Sequence, residues 1–89
     1  MQGNIDQVVS RIREIRIETF GENGVAIVSQ AMNIPARTWE HFENGVMIPQ
    51  WILLQFIELT GADPHWLWTG EGRRYRTPSA VSYPYGSNK

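Results

Sequence analysis

Ala36, Arg37, Glu40, His41 and Asn44 fall at i, i+1, i+4, i+5 and i+8. That spacing places all five along one side of a helix. Arg37 offers a planar fork of donors, Glu40 accepts, His41 does either and Asn44 does both. Such a set recognises a hydrogen-bonding surface; it does not make or break bonds. No cysteine is present, which removes disulfides, thiolate metal ligands and a thiol nucleophile together. The two histidines, His41 and His65, lack the carboxylate spacing of a metal site. No nucleophile–base pair, paired carboxylates or phosphate-cradling glycine loop appears, so neither an enzyme nor a cofactor is expected.

For a helix to present these residues, its other side must be held. Trp39 and Phe42 supply that back, and Val28, Ala31, Met32 and Ile34 of the preceding segment are expected to point inward with them. Asn33 stands where a left-handed residue lets the chain turn sharply. Ser29 is small where two helices must approach closely. Val25 to Gly45 therefore reads as a short helix, a tight turn and a second short helix, whose polar side suits a DNA major groove.

The remaining elements follow from periodicity and punctuation. Ile5, Val8, Val9, Ile12 and Ile15 make an apolar stripe over a helix from Ile5 to Phe20, with Asn4 as its cap and Gly21 as its stop. Pro35 suits the first turn of the third helix, and Pro49 opens a fourth that ends at Gly61. Asp63-Pro64 caps a short fifth helix to about Trp68. Residues 1–72 form the predicted domain. Residues 73–89 are the expected flexible, basic C-terminal tail, in which Arg73, Arg74, Arg76 and Lys89 face only Glu71 of its flank.

Eighty-nine residues, 42% of them hydrophobic, suffice for one domain with a core. The net charge of −1 excludes a strongly basic nucleic-acid binder on totals alone. Neither apolar run, Val25–Val28 or Trp51–Leu54, approaches the roughly 20 residues of a membrane span. The opening MQGNIDQ lacks a basic region followed by an apolar stretch, so no signal peptide is expected. With no cysteine, these features fit a cytoplasmic protein with no membrane partner and no evident small-molecule substrate.

SRIREIR at 10–16, WEHFENG at 39–45 and ELTGADPHWLWTGEG at 58–72 occur in an order that resembles the Cro/CI-type helix-turn-helix domains of phage repressors and XRE-like regulators. The resemblance covers about Val8 to Gly72. It implies an all-α, compact five-helix bundle of the lambda-repressor-like kind that binds double-stranded DNA as a homodimer and regulates transcription. By position, it implies base contacts from Ala36, Arg37 and His41, with Glu40 on the same face able to accept from cytosine N4. It implies backbone contacts from Thr38, Asn44 and the loop at Gly45 to Ile48. Arg16 and Glu43 match a pair tying the first helix to the end of the third, either a surface ion pair or a partly buried, fold-supporting one.

Other roles stay open between two readings. Arg37 and His41 are nucleic-acid contacts or solvated helix residues. Trp39, Trp51 and Trp66 are expected in the core. Ile52 and Trp68 are dimer contacts or pack under the tail, whose arginines are solvated or reach a phosphate. The chain also departs from the family pattern. Val25 replaces a polar phosphate holder, Asn44 to Pro49 has no Lys or Arg, Glu40 would repel phosphates, and the Thr19–Gly24 link is long. These departures support an alternative: a protein-interaction module that keeps the fold with weak or no DNA affinity.

Overall fold

A computed structural model of the chain describes residues 5–76, apart from the side chain of Ile5. The expected cap at Asn4 and the tail from residue 77 lie outside the described residues. Five helices follow in order: α1 (Ile5–Phe20), α2 (Val25–Met32), α3 (Ala36–Glu43), α4 (Gln50–Thr60) and α5 (Pro64–Thr69). The all-α architecture is as expected. Pro35 and Pro49 stand as caps one residue before the helices they were expected to open.

α1 packs against each of the other four helices. Its buried residues Ile12, Ile15 and Arg16 share one side with half-buried Val8, the i, i+4, i+7, i+8 spacing of an amphipathic helix. The α1–α2 turn is tight because Gly24 lies on Phe20. A Cβ there would sit 2.4 Å from the Phe20 Cβ. α2 ends at Asn33, which adopts φ 60°, ψ 44° and donates its N–H to the Gln30 carbonyl at 3.1 Å. Asn tolerates this left-handed conformation better than other side chains. Ile34 N–H then donates to the Ser29 carbonyl at 2.9 Å, closing the turn into α3.

The core centres on Trp39, whose ring lies 5.2 Å from Phe56 and meets Phe42 edge-on at 5.9 Å. Val28, Met32, Ile52, Ile57, Trp66 and Leu67 close around it. α5 begins at Asp63, whose carboxylate accepts the His65 N–H at 2.8 Å and so satisfies one orphan donor of the first turn.

Four expectations are corrected. Ala31 is exposed, because α2 buries Val28, Ser29 and Met32, a set that turns Ala31 outward beside Ile27. Trp51, expected in the core, is 61% exposed, while Ile52, expected as a dimer contact or packed under the tail, is 3% exposed within the core. The cause is common to both: α4 rotates to place Ile52, Phe56 and Ile57 under Trp39 and its neighbours, which leaves Trp51 on the far side.

The fourth correction concerns the tail. Arg74 to Arg76 are fixed to the body. Asp63 N–H donates to the Arg74 carbonyl at 2.9 Å and Arg76 N–H to the Gly61 carbonyl at 2.8 Å, making an isolated antiparallel bridge between Ala62 and Tyr75. Arg74 lies 4.7 Å over the Trp66 ring and pairs with Glu14 at 3.2 Å and with Glu18. Tyr75 donates its hydroxyl to Glu18 at 2.5 Å. Burial pushes the Tyr75 phenol above its ordinary pKa, and the Glu18 carboxylate pushes the same way.

Candidate functional site

α3 divides into two faces. Trp39, Phe42 and Glu43 are buried, whereas Ala36, Arg37, Glu40, His41 and Asn44 are exposed. Thr38 lies half-buried at the margin. All the residues expected to touch base edges are thus brought to one accessible surface. Gly45 follows on it, with φ 101°, a conformation that L side chains rarely adopt. The Asn44 amide donates to the Glu40 carbonyl at 2.9 Å, so Asn44 caps its own helix while facing solvent.

Beneath this face, the Glu43 carboxylate gathers three hydrogen-bond donors and a second cation. Arg16 grips it as a fork, Nε to Oε2 at 2.8 Å and Nη2 to Oε1 at 2.9 Å. Trp39 donates its indole N–H to Oε2 at 2.6 Å, and Arg13 approaches Oε1 at 3.5 Å. The side chains of Arg16 and Glu43 are only 6% and 8% exposed, so the expected pair takes its buried form. Arg16 continues to the Gly21 and Glu22 carbonyls at 2.8 Å each. One guanidinium therefore joins the end of α1, the α1–α2 turn and the end of α3.

Electrostatics make the joint firm. Burial pushes the Glu43 carboxyl upward, but the hydrogen bonds from Arg16 and Trp39 and the charges of Arg16 and Arg13 outweigh it and hold the group below the usual carboxylate range. The hydrogen bond to Glu43 raises the Arg16 pKa against the opposing effect of burial. Both partners are therefore charged at neutral pH.

Sequence reasoning missed Arg13 and Arg11 as positioning residues. Arg13 donates to the Glu43 carbonyl at 2.8 Å and Arg11 to the Leu67 carbonyl at 3.0 Å. Each binds near a helix C-terminus, where carbonyls lack intrahelical partners and the dipole favours cations. The Trp39–Glu43 bond was visible in principle, since the two stand at i and i+4 on one helix side.

An open groove of about 490 Å³ runs between α2 and the start of α3, lined by Ala26, Ser29, Gln30, Asn33, Ile34, Pro35 and Ala36. Among the described residues no group of three His, Cys, Asp or Glu is placed to hold a metal. No described helix is long and apolar enough to cross a membrane.

No family model, curated protein or solved structure matches this chain.

Proposed function

We propose that this protein is a sequence-specific DNA-binding domain of the Cro/CI helix-turn-helix kind, a small cytoplasmic transcriptional regulator that inserts α3 into the major groove. One observation carries the reading: α3 is clamped along its aromatic and ionic back while Arg37, Glu40, His41 and Asn44 stay open on its front. A recognition helix needs that combination, because base contacts require side chains held in register against a rigid support. In this mechanism Arg37 donates to guanine O6 and N7. Ala36 offers an apolar contact to a thymine methyl, His41 meets a base or phosphate, and Glu40 accepts from cytosine N4. Thr38, Asn44 and the Gly45 loop hold the backbone. Two copies read half-sites about one helical turn apart.

Selection of bound duplexes from a random pool, followed by anisotropy titration, tests this. The expected outcome is an enriched site with a two-fold repeat. An unenriched pool removes the reading.

A second reading, a protein-interaction module, is favoured by the charge at the face. Glu40 offsets Arg37, no charged residue occurs from Asn44 to Ile57, and Ile27 on α2 is exposed. Phosphate neutralisation supplies much of the affinity of DNA-binding proteins, and this face has little with which to supply it. Titration with random duplex at low salt separates the readings. Absence of binding at tens of micromolar supports the interaction module.

A further inference from the structure

We infer that the segment after Arg76, residues 77–89, turns back along the outer side of α4 and covers Trp51 and Leu54. That side presents Trp51, Leu54 and Glu58 at i, i+3 and i+7, all of them exposed. Trp51 and Leu54 are each more than half open. Two large apolar side chains together make a surface whose burial is favourable.

The path of the chain selects the occupant. Asp63 N–H donates to the Arg74 carbonyl and Arg76 N–H to the Gly61 carbonyl, with Ala62 and Tyr75 opposite each other in an antiparallel bridge. Advancing from Arg74 to Arg76, the chain therefore passes Asp63, Ala62 and Gly61 in reverse order. Its next step is directed back over the C-terminal end of α4. The Arg76 side chain points the same way. Its Nη2 donates to the Ile57 carbonyl at 3.1 Å, and its Nη1 lies 3.8 Å from Glu58. Arg76 thus pairs with the carboxylate that ends the Trp51–Leu54 stripe.

Length and composition fit this path. From Gly61 back to Trp51 is about 15 Å along a helix. Thr77 to Val81, extended, span about 16 Å, which brings Val81 level with Trp51. Val81, Tyr83 and Tyr85 alternate with Ser82 and Pro84, so an extended chain puts the three on one side. Pro78 and Pro84 favour extended backbone in the residues before them. The segment has no Asp or Glu, and its one charged side chain is Lys89. No charge need therefore be desolvated against Trp51. A segment tethered at Arg76 also meets this surface at a far higher effective concentration than a separate partner does. The inference does not rest on DNA binding.

Nuclear Overhauser spectroscopy of the isotope-labelled full chain, without DNA, tests it. Cross-peaks are expected from the Trp51 ring and the Leu54 methyls to the Val81 methyls and the Tyr83 ring, unchanged on dilution. Val81→Asp and Tyr83→Asp should each weaken the whole set and shift the Trp51 indole N–H resonance. Ser87→Asp should do neither. Circular dichroism establishes that each variant keeps its helices. Absence of these cross-peaks in the wild type overturns the inference. Cross-peaks that place residues 77–89 on another face overturn it too. So do cross-peaks between labelled and unlabelled chains in a mixed sample, which assign the surface to a second copy.

Discussion

Arg16 and Glu43 meet as a two-bond fork at 2.8 and 2.9 Å, although 27 residues separate them. Taking two charges out of water is costly, and each is tolerable only while the other is present. Arg16→Met should therefore destabilise the domain by about 3–5 kcal/mol. The double variant Arg16→Met, Glu43→Leu should recover most of that loss, because no unpaired charge remains buried. Urea unfolding of the single and double variants checks this. A double variant as unstable as Arg16→Met alone would refute the explanation.

The same pair sets a pH dependence. Glu43 has its pKa depressed in the folded state, so the unfolded chain takes up its proton first as pH falls. Its contribution is complete above the unfolded value of about 4.3 and disappears as pH drops through the folded value. Wild type and Glu43→Gln should therefore differ most at neutral pH and converge under acid. Unfolding midpoints measured from neutrality down into acid give the comparison; a constant gap would exclude the charged pair.

Arg37 makes no contribution of this kind to the fold. Arg37→Ala should change stability by no more than about 0.5 kcal/mol. On a selected duplex it should weaken binding by about 1–3 kcal/mol and relax preference at a single base pair. Uniform weakening across all sequences would instead make Arg37 a phosphate contact.

Arg74 clips the chain to α1 through Glu14 and Glu18 and covers Trp66. These partly exposed contacts are each weak, and Arg74→Ala should lower stability by about 1–2 kcal/mol in all. Amide exchange should quicken at Asp63 and Arg76, whose N–H groups form the bridge to this segment. Unchanged protection there would show that the bridge holds without the arginine.

Helix positions were legible in the sequence because their signals are local. The stripe of α1, the left-handed Asn33, the Asp63 cap and the glycine stops each act within one turn of chain. The two faces of α3 were legible for the same reason, since its apolar and polar residues alternate at helical spacing. Around Trp51–Leu54 that signal fails. Four consecutive apolar residues fit several rotations of α4, and local periodicity favours none of them. Packing of Phe56 against Trp39 selects the rotation, burying Ile52 and leaving Trp51 outside.

The sequence by itself determined an all-α chain and the side of α3 that faces water. Tertiary structure decided whether Arg16 and Glu43 are buried, which α4 residues are free, and that Arg74 to Arg76 belong to the body. Helix formation and amphipathicity depend on neighbours three and four residues away, which the sequence displays directly. Desolvation depends on what packs from distant parts of the chain, and only the assembled bundle specifies that.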